Sequence, residues 1–380
     1  MGPLDGIKVI EMAGLAPSPF CGMVLADFGA DVIIVDRLSK DSPEIPNFMP
    51  INPLDRGKRS MRVNLKTGQG VAIIETLIQR SDVLVESYRP GVMENLGLGP
   101  ERALQLSPGL VYARLTGWGR TGPYSGMAGH DINYIALSGV LSLFRRKGER
   151  PLPPCNIVAD FGGGGMLCAL GILLGLIERG RSGKGQVVDA AMLDGAAYLS
   201  TYFYGLFANG LMTPKAGTNI LDSGAPFYQV YETADGKFIA VGAIEGRFYR
   251  IFLEGLGLDP ATLPEQHDSR KWPEMEARFA GIFRTKTRDE WMAIFDDQDA
   301  CVTPVLEFTQ AGHHPHNQAR GWLADLNGLT QPAPAPLLSR TPGRAEKAPS
   351  PRGSETKEVL TGLGYSDAQI QNLFDERVVE

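Results

Sequence analysis

The chain of 380 residues predicts an α/β fold, with a large doubly wound, Rossmann-like domain and a smaller α+β domain. Three observations carry that expectation. Asp31–Asp36 (DVIIVD) is an almost unbroken apolar run, as in a parallel strand covered on both faces. Strand and helix patterns alternate up to about residue 200. After about residue 220 the pattern changes to a hairpin followed by helices.

The elements follow in order. Ile7–Met12 reads as a strand, Ala13–Pro19 as a turn and Phe20–Phe28 as a helix, leading into the strand Asp31–Asp36. Helical spacing recurs over Gly70–Ser81 and Pro100–Leu106, between strands at Val83–Ser87 and Val111–Thr116. A helix over Gly162–Arg179, a turn at Gly180–Gly185, a strand over Gln186–Met192 and a helix over Ala196–Ala208 complete residues 1–200. The second domain, 220–325, opens with strands Pro226–Thr233 and Lys237–Ala243 around Ala-Asp-Gly. Helices follow at Arg247–Leu256, Pro273–Phe283 and Arg288–Phe295. Residues 332–380 begin with Pro332–Pro351, too rich in proline for a packed helix and expected to be an extended connector. They end in a helical tail, Glu355–Phe374, expected to rejoin the first domain.

Composition narrows the function. Apolar residues make up 43% and charged residues 21%, enough for a folded core rather than disorder. The net charge of −6 disfavours a nucleic-acid partner, whose binding rests on neutralising phosphates. The longest uncharged stretches, Phe161–Ile177 and Gly195–Pro214, are interrupted by Gly, Ser, Thr or Asn and read as buried helices, not membrane spans. Four scattered cysteines without a CxxC suggest neither zinc nor disulfides. The opening residues show no signal-peptide pattern and Val378-Val379-Glu380 is not an SKL-type signal. The expected location is therefore the cytoplasm or an organelle matrix, mitochondrial or peroxisomal.

Several motifs bear on chemistry. Asp36 ends the second strand where a dinucleotide fold places its ribose-binding acid, but no GxGxxG turn precedes it, which disfavours a nicotinamide cofactor. Arg37 points instead to a phosphate, with a surface charge pair as the alternative. Arg56-Gly57-Lys58-Arg59 with Arg62 and Lys66 is the densest cationic segment, read as a polyphosphate site over a solvated face. His130 opens a helix between two Gly-rich loops, where the helix dipole disfavours its cationic form and suits it to act as a base. Asp160 precedes four glycines, Gly162–Gly165, and reads either as a helix cap or as a functional carboxylate beside a closely approached backbone. Glu245 follows the hairpin as a weaker candidate. His313-His314-Pro315-His316 lacks the spacing and carboxylates of a metal site and reads as a solvated loop. No G-x-S-x-G elbow supports serine hydrolysis.

Taken together, these segments resemble the class III CoA-transferase family. The residues that carry the resemblance are Leu15–Cys21, Leu25–Ala30, Val35-Asp36-Arg37, Arg56–Ser60, Tyr88-Arg89-Pro90-Gly91, Gly129–Tyr134, Ala159-Asp160-Phe161 and Gly183–Gln186. It continues through Gly224–Tyr228, Gly242–Glu245 and Asp299–Val305. The resemblance implies a CoA thioester substrate with neither metal nor redox cofactor, CoA being part of the substrate. It also implies an interlocked homodimer whose active sites are shared between the large domain of one chain and the small domain of the other. The ADP end of CoA would meet Arg37 and Val63, Asn64, Leu65 and Lys66, with Arg89 also on the CoA path. Gly129, Asp131, Ile132, Asn133 and Tyr134 would line the thioester. Where transferases carry Tyr-Glu, this chain has His130-Asp131, the pattern of members that racemise their substrate. For those, the resemblance implies interconversion of (2R)- and (2S)-2-methylacyl-CoA thioesters by two-base proton transfer through an enolate. His130 and Asp160 would be the bases, Glu245 would orient His130, and amides around Asp160–Gly162 would hold the enolate oxygen. The alternative is a transferase in which Asp160 attacks the thioester and forms an anhydride. A non-catalytic CoA-binding protein is a third possibility.

Overall fold

A computed structural model describes residues 2–39, 49 and 51–380. They group into two compact units. Unit 1 comprises Met1–Ser138, Pro154–Leu199 and Gly321–Glu380, and unit 2 comprises Gly139–Pro153 and Ser200–Arg320.

Unit 1 is built on β1 (Lys8–Met12), α1 (Pro17–Asp27), β2 (Asp31–Asp36), β3 (Arg59–Arg62), α2 (Gly68–Gln79), β4 (Val83–Glu86), α3 (Val92–Asn95), α4 (Pro100–Leu106), β5 (Val111–Thr116), α5 (Asp131–Leu137), a π-helical segment (Ile157–Met166), α6 (Leu167–Ser182), β6 (Gln186–Ala191) and α7 (Met192–Leu199). Six strands form one sheet in the order β3-β2-β1-β4-β5-β6, every neighbouring pair parallel. The strand order reverses between β1 and β4. Ligands of such sheets bind in the crevice beyond the carboxyl ends of the strands at that switch point.

Local rules explain most element bounds. Pro17 opens α1, where its missing N–H costs nothing, so the helix starts three residues before Phe20. Thr67 caps α2 by accepting from Gly70 N at 3.0 Å. The expected strand through Met192 stops at Ala191, and the expected helix 196–208 is two helices parted at Ser200. The expected tail helix is also two, Thr356–Gly362 and Asp367–Asp375, separated by Gly364 with φ 94°. β3 was not expected. Beside it, Val63 bridges Val379 and Asn64 N donates to the Val378 carbonyl at 2.8 Å, so the tail does pack on unit 1. Ile10, Met12, Ile74, Leu84, Tyr112 and Leu360 share the buried core on one face of the sheet.

On the other face, the π-helical segment runs directly into α6. Ile157–Ser182 is the one continuous helical stretch among the described residues long and apolar enough to cross a membrane, by length and composition, with mean hydropathy 1.9. Within unit 1 it covers the sheet: Gly171 abuts Val188 of β6 and Gly175 abuts Val111 of β5.

Unit 2 contains α8 (Thr201–Ala208), β7 (Tyr228–Glu232), β8 (Phe238–Gly242), α9 (Gly246–Gly255), α10 (Trp272–Phe283), α11 (Arg288–Phe295) and β9 (Val302–Val305). The hairpin pairs Glu232 with Phe238, and β9 adds a third antiparallel strand that sequence patterning did not mark. Its core is aromatic: Phe227, Phe252, Phe279, Phe283, Trp291 and Phe295 are all buried. His313–His316 is a turn followed by the short helix Pro315–Arg320 rather than a plain loop.

Candidate active site

Sheet topology gathers the candidate residues of unit 1. Arg37 follows β2, Val63–Lys66 follow β3, Arg89 lies just past β4, and the loop from β5 leads to Gly129–Tyr134. Because the strands are parallel, all these positions fall at one edge. Register places Asp36 beside Arg62, so Arg37 and Val63 are adjacent as the chains leave the sheet.

Their side chains differ in availability. Arg37 and Arg89 are exposed, as is Lys66. Burial pushes the Tyr88 phenol up to about 12, opposed by the Arg37 guanidinium that hydrogen-bonds it. Val63 is wholly buried in the core, Leu65 packs against it, and the Asn64 carboxamide accepts from Lys66 N at 3.1 Å.

The structure corrects the polyphosphate reading of Arg56–Arg62. Arg56 is buried and donates to both Asp27 carboxylate oxygens, at 2.9 and 2.6 Å, to the Gln331 side chain and to the Pro332 carbonyl. Lys58 is fully enclosed, 2.6 Å from Glu11 and 2.8 Å from the Pro19 carbonyl. Arg59 pairs with Asp31 and Glu358, and Arg62 with Glu380. These cations already have their anions, and they bind the chain to itself.

His130 is the exposed N-terminal flanking residue of α5. Its amide donates to Asn133 Oδ1 at 3.0 Å, and its carbonyl accepts from Asn133 N at 2.8 Å. The preceding carbonyl, of Gly129, accepts from the Tyr134 hydroxyl at 2.6 Å. The Tyr134 ring lies edge-on against Trp118, centroids 4.7 Å apart, and a Cβ on Gly129 would strike both rings. Burial, then the charges of Asp160 and Asp131, push Tyr134 up to about 12.

Asp160 is half-buried and lies inside the π-helical segment, so it is not a helix cap. The capping carboxylate is Asp131, whose Oδ2 accepts from Ala159 N at 2.6 Å and from Asp160 N at 2.9 Å. Asp160 Oδ2 accepts from the Asn156 side chain at 3.1 Å. Burial raises its proton affinity above the ordinary aspartate value. Asn156 works against that, the Asp131 charge adds to it, and the nearby His130 opposes it. His130 and Asp160 are thus within electrostatic reach of each other. Because the Asp160 amide is already engaged by Asp131, it does not serve the enolate oxygen.

Gly163–Gly165 earn their place by packing. A Cβ on Gly163 would meet Ala196 N at 2.6 Å, one on Gly164 would meet Met192 Cγ at 2.8 Å, and one on Gly165 the Pro17 carbonyl oxygen at 2.6 Å. A helix, not a ligand, makes the close approach. In unit 2, Glu245 is the exposed residue before α9, its carbonyl accepting from Tyr249 N at 3.0 Å. Its charge, after partial burial, helps hold the Cys301 thiol above its ordinary value. Trp118, Asn156 and Asp131 as a cap were missed in the sequence. Only Asn156, the residue that flanks the π-helical segment four positions before Asp160, left a readable signal. Among the described residues, no group of three or more His, Cys, Asp or Glu is placed to hold a metal ion.

Comparison with known proteins agrees with this topology. Residues 4–356 match the model of CoA-transferase family III. The chain is 54% identical to the alpha-methylacyl-CoA racemase of Mus musculus over 380 residues, 99% of this chain and 97% of that protein. It is 49% identical to the Homo sapiens protein of the same name, with 99% and 97% covered. A CAIB/BAIF family protein from Brucella suis shares the fold with a TM-score of 0.83 at 24% identity, covering 95% of this chain and 99% of that one. The chain belongs to CoA-transferase family III.

Proposed function

We propose that the chain interconverts (2R)- and (2S)-2-methylacyl-CoA thioesters by 1,1-proton transfer, with His130 and Asp160 as the two bases. The observation that carries this reading is an exposed imidazole and a half-buried carboxylate brought together at the carboxyl edge of the sheet, where Asp131, next to His130, accepts from the Asp160 amide at 2.9 Å. The similarity to two proteins named for alpha-methylacyl-CoA racemisation supports it.

A thioester acidifies its α-carbon only modestly, so a base must stand close to the Cα–H bond and the enolate must be held. One group takes the α-proton, leaving the electron pair on the enolate. The other, protonated, delivers a proton to the opposite face, and the C–H bond count is conserved. Burial of Asp160 favours its protonated form, bringing it nearer the range in which an imidazole exchanges protons. Arg37, Val63, Asn64, Leu65, Lys66 and Arg89 are assigned to the CoA portion, and Gly129, Asp131, Ile132, Asn133 and Tyr134 to the thioester end. For Val63 and Asp131 that role falls to the backbone, since the Val63 side chain is in the core and the Asp131 carboxylate is buried against the Ala159 and Asp160 amides. The assembly is a homodimer with shared sites, in which Glu245 of one copy orients His130 of the other. In unit 1, Leu170, Leu174 and Ile177 expose an apolar face on α6 that a second copy would cover.

The test is deuterium incorporation into each pure enantiomer of a 2-methylacyl-CoA in D2O, without acceptor acid, followed by chiral analysis. His130→Ala and Asp160→Ala are both expected to lose racemisation, with residual α-exchange favouring opposite enantiomers. Full racemisation by either variant refutes the two-base assignment. Acceptor-dependent CoA exchange without α-exchange in the parent favours the anhydride-forming transferase instead.

A further inference from the structure

We infer that Asp131 is the positioning residue of the proton-transfer pair, its carboxylate joining the helix start that carries His130 to the turn that carries Asp160. The inference rests on the two-base reading above, and it assigns the Asp131 side chain no contact with substrate. Asp131 follows His130 directly as the first residue of α5, and its side chain is buried. One carboxylate oxygen, Oδ2, takes both amides of the Ala159-Asp160 peptide pair, from 28 and 29 residues away. The other, Oδ1, is enclosed and has no hydrogen-bond partner among the described residues.

Enclosing a carboxylate with one oxygen unsatisfied is costly, and a helix start is ordinarily capped by a neighbouring Ser, Thr, Asn or Asp. Here the cap comes instead from the residue bonded to the other base. The backbones of His130-Asp131 and Ala159-Asp160 are thereby tied through a single side chain. His130 has further restraints of its own: Asn133 holds its amide and Tyr134 holds the Gly129 carbonyl. The backbone of Asp160 depends on Asp131, while its side chain bonds Asn156. Losing Asp131 therefore loosens Asp160 more than His130. A base displaced by about 1 Å loses on the order of 100-fold in rate.

The experiment compares the full-length parent with Asp131→Ala, Asp131→Asn and Asp160→Ala. Steady-state racemisation and α-deuterium exchange are measured on each enantiomer, with circular dichroism as the check on folding. Asp131→Ala is expected to lower kcat about 100-fold with KM within about threefold. Its residual exchange is expected to be skewed toward the same enantiomer as that of Asp160→Ala. Asp131→Asn keeps an oxygen for the two amides and is expected to recover about tenfold of that loss but not all of it, with a weaker skew in the same direction. If the Ala variant does not fold, the skew in the Asn variant carries the test. A KM rise at unchanged kcat would make Asp131 a substrate contact and overturn the inference. So would exchange in the Asn variant that is reduced equally on both enantiomers, or not reduced at all. A parent without acceptor-independent exchange would sink the two-base reading and this inference with it. An exchanging parent with an unskewed Asp131→Asn would sink the inference alone.

Discussion

The closest backbone approach near the candidate site gives a prediction whose size can be worked from the structure. Gly163 stands three residues after Asp160 and faces α7, where Gly195 answers it: a Cβ on Gly195 would run into the Gly163 carbonyl oxygen. A Cβ on Gly163 would lie 2.6 Å from Ala196 N and 2.8 Å from Gly195 C, both backbone atoms that cannot swing aside. Reaching an ordinary contact near 3.4 Å requires the two helices to part by roughly 0.8 Å. On Gly162 the same methyl would find the Ile157 carbonyl oxygen at 3.3 Å and the Leu199 side chain at 3.4 Å, nearly ordinary packing. Overpacking costs about 1–3 kcal/mol, whereas glycine to alanine within a helix gains about 0.8–1 kcal/mol. Gly163→Ala should therefore end about 0–2 kcal/mol less stable than the parent, and Gly162→Ala neutral to about 1 kcal/mol more stable. Both variants share the propensity gain, so their difference of about 1–3 kcal/mol isolates the clash. Gly163→Ala should also lose about 100-fold in α-proton exchange, because the displacement is carried to the turn that holds Asp160. Urea unfolding followed by circular dichroism measures the first quantity and deuterium exchange the second. Equal stability and equal exchange in the two variants would refute the reasoning.

Removal of charges gives two further expectations. Lys58→Ala should cost about 3–5 kcal/mol by leaving Glu11 buried and unpaired, while KM for the CoA thioester stays within about twofold. Arg37→Ala should do the reverse, raising KM with little loss of kcat at saturation, since a remote phosphate contact is uniform binding energy; urea unfolding and steady-state kinetics on both variants check the pair, and a KM rise in stable Lys58→Ala would restore the polyphosphate reading. Asp160→Asn should be more stable than the parent at pH 7.5 in urea unfolding, although inactive. Its folded-state proton affinity is raised, so the folded parent binds more protons than the unfolded chain and loses stability as pH climbs from the unfolded value of 3.8. The gain in the variant should vanish below that value, and a gain that grows on acidification would reverse the sign.

What the sequence made legible depended on how far each residue's partners lie along the chain. β2 and β5 were readable because burial on both faces leaves a local apolar run, DVIIVD or VYARLT, needing no outside information. β3 was not, because RSMR buries only Ser60 and Met61 and presents two arginines whose partners come from distant segments: Asp31, Glu358 and Glu380. The same limit produced the polyphosphate reading. A run of cations is a site for anions only if the fold supplies no acids to it, and Asp27, Glu11, Asp31 and Glu380 do supply them. At the candidate site, His130 and Asp160 were each visible from their flanking glycines. The link between them was not, since it runs through a carboxylate 28 and 29 residues from the amides it holds. The resemblance placed Asp131 among residues lining the thioester, and its hydrogen bonds give its side chain a place in the frame as well. Arg37 is what remains of the cationic reading: it is exposed at the carboxyl edge and has no ion-pair partner among the described residues, which leaves its charge available to a ligand. The useful sign of an available cation was therefore not charge density but position: an arginine where the parallel strands end, with no ion pair among the described residues.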